Sequence, residues 1–328
     1  MTDRAWASAP RVGARDAVTY AVWPVLLIGS LAATWWGFTV GLPVAVWAFV
    51  VSSANVVVIL ALEQALPART RLNPFHDPQL PRDIGHGVLI GALGRPVASR
   101  LAVATIAMIA LAVAGTRRSH AWPAGLPAPA QVVLALTVWS FVGYWSHRAY
   151  HRVEWLWRFH AVHHDVPHMH VFKGNRIHFG EDIPRQFVAL VPLFALGAPS
   201  WVLVWVALWN NFEGSAAHAN IDQRFPSWAH RVLSTPANHY VHHAIDRELH
   251  DANFGGVSPL WDIMFGTFRH PDQHPVAGVG VAGAPVPEQF AAQLRFPFSA
   301  TERSGGRRGG VDRRLGLWFD GVSERGDR

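Results

Sequence analysis

The chain has 328 residues, half of them hydrophobic and only 15% charged, with a formal net charge of +6 and no cysteine. The charged fraction falls well below the roughly 25% of soluble domains, which argues against a soluble globular protein. The missing cysteines exclude disulfides, thiolate-bound zinc or iron–sulfur clusters and a cysteine nucleophile.

The basic residues are nearly all arginine, with Lys173 the only lysine. No basic block is interleaved with base-stacking aromatics, so no nucleic-acid partner is expected. Sixteen Trp and eighteen Phe instead suit the aromatic belts of a membrane protein.

In chain order, residues 1–18 read as a polar N-terminal segment carrying Arg4, Arg11 and Arg15. The uncharged run TYAVWPVLLIGSLAATWWGF follows, long enough to cross the ~30 Å hydrocarbon core at ~1.5 Å per residue. A second run, LPVAVWAFVVSSANVVVILAL, comes after a few residues, so the pair reads as two spans rather than a cleaved signal. Arg69, Arg71 and Arg82 then return to the side of the first arginines, which the positive-inside rule makes cytoplasmic.

A third span is expected around LAVATIAMIALAVAG, extended backward through Val97, and a fourth over QVVLALTVWSFVGYW. The apolar stretch Phe187–Asn211 is interrupted by Pro192, Gly197 and Pro199, so it fits one tilted helix or two half-length helices that dip in and return. Residues 271–298 read as an irregular extension. Residues 299–328, rich in Gly, Arg and Ser, read as a disordered tail.

Fifteen of the nineteen histidines fall between His147 and His270. Three clusters stand out: His147 and His151; His160, His163 and His164; His239, His242 and His243. On a helix, positions i, i+3 and i+4 share a face, so each cluster is expected to aim its imidazoles at one point. Neutral imidazole suits Fe, Zn, Cu or Ni, and eight such ligands are too many for a single ion that keeps an open position. Two metals are therefore expected, with His178 and His218 as additional ligands.

The isolated His76, His86, His120, His230, His250, His270 and His274 read as ordinary surface or core residues. If the boxes share one dimetal site, Phe187–Asn211 must start and end on one membrane face. That selects the re-entrant reading. The expected fold is thus all-α: a polytopic membrane bundle of about four transmembrane helices plus a re-entrant helical hairpin, with a cytoplasmic His-rich cap. The membrane-embedded catalytic domain is expected over residues 19–270.

The ordered set HRAYH, LWRFHAVHH, RIHFGE, HANI, TPANHYVHH and NFGGVSPLWDIMFGT resembles the fatty acid hydroxylase/sterol desaturase superfamily over roughly residues 75–270. The resemblance implies an integral-membrane, O2-dependent oxidoreductase with two non-haem Fe ions. It implies metal ligation by His147, His151, His160, His163, His164, His239, His242 and His243, with His178 and His218 matching further family histidines. Near His178 the match is imperfect, because Phe179 stands where members often have a proline.

Asp262, Glu181 and Asn238 are candidates for holding ligand histidines in place. The implied chemistry removes hydrogen from an unactivated C–H bond of a lipid-like substrate (fatty acyl, sterol or other apolar molecule). Oxygen rebound gives an alcohol, and loss of a second hydrogen, the desaturase alternative, gives a double bond. No electron-transfer domain is fused, so a ferredoxin, a cytochrome b5-like protein or a reductase is the expected donor. A zinc hydrolase or structural zinc site uses the same ligand type and is the distant alternative. A bis-His haem carrier does not fit His doublets.

Overall fold

The computed structural model describes residues 14–69, 72–112, 121–283, 285–299, 311–312 and 317–318. Arg4, Arg11, Arg71, His120 and most of the tail expected to be disordered lie outside the described residues. Within that tail, Val311–Asp312 pairs antiparallel with Leu317–Trp318.

Helices α1 (Ala14–Thr39) and α2 (Val44–Ala65) form an apolar hairpin. Val25, Ile28, Trp36, Val46, Phe49 and Val57 are exposed on it, as lipid-facing positions should be. The inner face packs Val22, Trp23 and Ile59 against Phe212, Ile221 and Phe225. Glu63, in the last turn of α2, accepts from the amides of Val171 and Asn220 at 2.9 and 2.8 Å, fastening the span to the polar cap.

The third apolar element starts earlier than Val97. Helix α3 (Leu80–Leu89) continues through a π-turn at Ile90–Gly94 into α4 (Arg95–Ala112). The stretch Leu80–Thr105 is long and apolar enough to cross a membrane, as are Ala17–Thr39, Val46–Ala65 and Ala128–Arg152. The sequence reading stopped short because Asp83 and His86 interrupt the apolar run, and both are buried on the cap side of α3.

Helix α5 (Ala128–Arg152) breaks at Val153, whose backbone is extended (φ −97, ψ 116), and the chain re-enters helix as α6 (Glu154–His164). Helices α7 (Phe179–Leu196) and α8 (Ser200–His218) meet at Gly197, which takes a left-handed φ of +80, followed by Pro199. Their tip packs Leu193 and Val202 against Ala135 and Trp122.

The opposite ends of α7 and α8 both reach the histidines, so the broken apolar segment is a hairpin, as the shared-site argument required. At 18 and 19 residues its helices are longer than half-length, because each runs on into the cap. The cap is completed by α9 (Pro236–His242), α10 (Arg247–His250), α11 (Leu260–Met264) and α12 (Phe290–Arg295). The region expected to be irregular thus contains α12, and its Val286 and Phe296 pack on Trp157, Ala161 and Val162 of α6.

Candidate metal centre

The last two turns of α5 carry His147 and His151, α6 carries the second box, and His218 ends α8. The third box lies on α9 and its C-cap, behind Thr235, whose hydroxyl accepts from the amide of Asn238. These elements bring nine of the ten expected ligands into two groups. One holds His147, His151, His160, His164 and His242. The other holds His163, His218, His239 and His243, and within each group the ligand atoms lie within 4.8 Å of one another. The groups adjoin: the rings of His164 and His243 stack at 4.3 Å.

His147 and His151 aim at one point, as the spacing suggested, but the two HxxHH boxes do not. His160 and His164 go to the first group and His163 to the second; His239 and His243 go to the second and His242 to the first. The reason is helical geometry. Positions i and i+4 differ by about 40° around the axis, whereas i+3 and i+4 differ by about 100°. An HxxHH box therefore divides between two neighbouring points.

Hydrogen bonds fix the tautomers. His147 Nδ1 donates to the Phe254 carbonyl (2.9 Å), His242 Nδ1 to the Ala252 carbonyl (2.7 Å) and His160 Nδ1 to Glu181 Oε1 (2.8 Å). In the second group, His218 Nδ1 donates to Gly214 (2.8 Å) and His163 Nδ1 to Arg176 (3.3 Å). Each of these rings then presents a lone pair at Nε2.

The lone pairs face one another. His147 and His160 bring their Nε2 atoms to 3.0 Å, and His163 and His218 bring theirs to 3.3 Å. Nε2 of His151 and of His242 is buried with no hydrogen-bond partner. Protonation does not relieve this. Burial pushes His160, His163, His164, His239 and His243 well below the ordinary histidine value, His218 down to about 4 and His242 down to about 3. A cation at the centre of each group does relieve it. Two imidazole nitrogens bound at right angles to an ion at ~2.1 Å stand ~3.0 Å apart. The donor set therefore fits two metal ions with mainly nitrogen ligands.

The tenth expected ligand is placed elsewhere. His178 caps α7, its Nδ1 accepting from the Gly180 amide (2.9 Å) and its Nε2 donating to the Leu294 carbonyl (3.1 Å). Both nitrogens are engaged and the residue belongs to neither group. Of the residues expected to orient ligands, Glu181 does so directly through His160. Asp262 acts one step further out: it accepts from the amides of Phe254 and Gly255, each at 2.8 Å, and so holds the carbonyl that orients His147. Asn238 touches no ligand histidine. It donates to the His230 carbonyl (2.9 Å) and fixes the turn that leads into α9.

Sequence reasoning missed His250 and Asp251. Asp251 Oδ1 accepts from His151 Nδ1 at 3.2 Å, and the His250 ring lies 4.5 Å from that of His164. Their signal was the position of His250, one turn before the NFGG motif.

A further candidate group, Asp77, Asp83 and His170, is already filled by a cation of the chain. The ammonium of Lys173 lies 2.8 Å from Asp77 and 2.7 Å from Asp83. Burial works to raise the Asp77 carboxyl, but hydrogen bonds from His170 and Lys173 outweigh it and hold the group well below the usual carboxylate range.

A cavity opens on both groups. His147, His160, His163, His218 and His239 line it together with Arg95, Asp182, Arg185, Asn210, Asn211 and Glu213. Beyond Arg95, Trp139, Gln186, Asn210 and Asn211 it adjoins a second chamber, lined by Leu190, Phe194, Leu203, Val204, Val206 and Ala207. Glu213 is enclosed by the protein, and burial pushes its carboxyl up to about 8 against the pull of Arg185. Its remaining accessible surface faces the cavity.

The fatty acid hydroxylase family model matches residues 132–267, a span that holds all nine grouped histidines. The ornithine lipid hydroxylase OlsE of Rhizobium tropici is 32% identical over 293 residues, which cover 88% of this chain and 86% of that protein. The chain belongs to the fatty acid hydroxylase/sterol desaturase superfamily. More distant similarity reaches the alkylglycerol monooxygenases of Homo sapiens and Danio rerio, each 29% identical. Those matches cover 43% and 41% of this chain and 31% of each of those proteins. No solved structure matches. As a member of this superfamily the protein is an oxidoreductase, and its four apolar helices make it a multi-pass membrane protein.

Proposed function

We propose that this superfamily member is a di-iron hydroxylase that inserts one oxygen atom of O2 into a C–H bond of a membrane lipid. One iron is held by His147, His151, His160, His164 and His242, the other by His163, His218, His239 and His243. The observation that carries the reading is the pair of converging lone-pair groups opening on one cavity that continues into an apolar chamber. The balanced reaction is R–H + O2 + 2 e⁻ + 2 H⁺ → R–OH + H2O.

The irons supply reduction of O2 and delivery of oxygen to carbon; the chain supplies the rest. Glu181, Asp251 and four backbone carbonyls hold the imidazoles as neutral Nε2 ligands, and the apolar chamber takes the acyl chain. Two electrons come from a separate ferredoxin, cytochrome b5-like protein or reductase. The arginines that flank the first two spans in the sequence support a site facing the cytoplasm, by the positive-inside rule. A lipid substrate agrees with what the ornithine lipid hydroxylase and the alkylglycerol monooxygenases are named for.

The test is metal analysis of anaerobically purified protein together with mass spectrometry of lipids from cells with and without it. Two irons per chain and a lipid that gains one oxygen atom are expected. A lipid that loses two hydrogens makes the enzyme a desaturase, and zinc in place of iron sinks the oxygenase reading.

A further inference from the structure

Helix α11 is turned inside out for a helix bathed in water. Leu260, Ile263, Met264 and Phe265 are all exposed, Met264 by 61%, while the one charged residue of the stretch, Asp262, is buried. A helix on a water-facing surface shows its charges outward and its apolar residues inward.

The apolar patch does not end at α11. The rings of Trp261 and Phe141 lie 4.8 Å apart, and those of Phe265 and Trp145 lie 4.9 Å apart. The Trp261 indole donates to Ser140 Oγ at 3.0 Å. Phe141 and Trp145 are themselves exposed, on a helix apolar enough to cross the membrane. The two sets of side chains form one apolar surface, so the lipid that covers α5 meets no polar boundary before α11.

Arg148 gives the depth. It is the first arginine of α5, its guanidinium lies over the Trp145 ring at 5.4 Å, and it donates to the Tyr144 hydroxyl at 3.0 Å. Arginine beside Trp and Tyr anchors a span at headgroup level. Trp145 and Ser140 stand three and eight residues before Arg148, so α11 packs about 5–12 Å below it at ~1.5 Å per residue. Amphipathic helices enter a leaflet to a similar depth, roughly 5–10 Å.

We propose that α11 is inserted in the cap-side leaflet beside α5, with Leu260, Ile263 and Met264 among the acyl chains. The occupant of the patch is the bilayer, because a water-soluble partner that docks on the cap does not reach below Arg148. On its inner face the same helix supports a candidate metal ligand. Asp262 accepts from the amides of Phe254 and Gly255 and, at 2.7 Å, from the Thr267 hydroxyl, and the Phe254 carbonyl holds His147. One short helix thus lies between the lipid and the support of His147. The insertion follows from the membrane spans and holds whatever reaction the histidines perform.

The chain has no cysteine, so a single introduced thiol can be labelled without background. Met264→Cys and Ile263→Cys, each carrying the fluorophore NBD, are compared in phosphatidylcholine nanodiscs with two references. Phe49→Cys reports the lipid-facing side of α2, and Glu248→Cys reports the exposed cap. The quenchers are iodide in the water and phosphatidylcholine brominated along its acyl chains. The α11 labels are expected to match the Phe49 label in quenching by bromolipid. They should be protected from iodide at least about fivefold relative to the Glu248 label, as befits a probe below the headgroups. Iodide quenching equal to that at Glu248 puts the patch in water and overturns the proposal. Protection from both quenchers also overturns it, by showing that a second copy of the chain covers the patch. The two α11 sites are read independently, so a variant that fails to fold leaves the other decisive.

Discussion

The five-histidine group has two carboxylate supports, Glu181 behind His160 and Asp251 behind His151, beside the carbonyls of Phe254 and Ala252, whereas the four-histidine group is backed by main-chain carbonyls, Arg176 behind His163 and Gly214 behind His218. The first group is buried throughout, and the second contains His239, the one member with appreciable exposure. Three of its four residues line the cavity, against two of five in the first group. On the proposed reading the two irons are therefore unequal. The first is tightly enclosed and electron-rich from its anionic supports; the second has fewer ligands and more room for a reactant.

The largest effect should come from removing a ligand on the poorer side. His163→Ala leaves three histidines in the second group, so metal content should fall from two ions per chain toward one. Turnover should drop by more than the roughly 10–100-fold typical of outer supports. His151→Ala leaves four histidines in the first group and should retain more metal. Parallel metal analysis of the two variants decides whether the inequality is real.

Stripping both ions comes next. Without them the facing lone pairs of His147 and His160, and of His163 and His218, have no relief, and the linkage energy of ion binding is lost. The melting temperature in detergent should fall on the order of 10 °C after chelation and recover on adding Fe(II). A chelator-insensitive transition would mean that the groups are stable as packed imidazoles.

Glu181→Gln tests the anionic support on its own. The amide still accepts from His160 Nδ1 but carries no charge, so the first ion should bind about 10–100-fold more weakly while the second is unaffected. A smaller change would show that the carbonyl-backed and carboxylate-backed groups are equivalent.

A smaller effect concerns the turn that feeds the third box. Burial pushes His230 down to about 4, with Asp272 opposing the shift. Between about 6.5 and 4 the unfolded chain binds this proton and the folded chain does not. Stability from His230 is therefore complete above about 6.5 and declines as the pH falls toward 4. His230→Gln should flatten that part of the melting temperature's pH dependence, measured on metal-loaded protein.

Much of this was legible because imidazole spacing is a rare and local signal. The boxes and the need for two metals follow from residues within a few turns of one another, and the folding back of Phe187–Asn211 follows from requiring the boxes on either side of it to share one site. What spacing could not convey was rotation about the helix axis, which divides each HxxHH box between groups. It also could not show which isolated histidines are captured elsewhere. His178 resembles a ligand in sequence and is held as a helix cap by Gly180 and Leu294. Lys173 and Asp83 lie ninety residues apart, and nothing in either neighbourhood announces their ion pair. The start of the third span was obscured for a related reason: Asp83 and His86 are polar residues in an apolar helix, and their partners Lys173, Arg176 and Gln293 lie far along the chain.

The finest distinction between the two groups concerns His250, which is buried beside the first group with its ring 4.8 Å from that of His151. His151 has one nitrogen to offer inward. Its Nδ1 donates to Asp251, and its Nε2 is the one buried without a partner. His250 falls in a set with His151 and Asp251 and not with the five. It therefore sits behind His151 and flanks His164, and its contribution should be packing of those two rings. His250→Ala should keep two irons per chain and change turnover by only about threefold, on the order of the 0.5–1 kcal/mol that one aromatic contact contributes. Loss of the first ion in that variant would instead make His250 a sixth ligand. The group would then be saturated, and the contrast with the open second group would be sharper still.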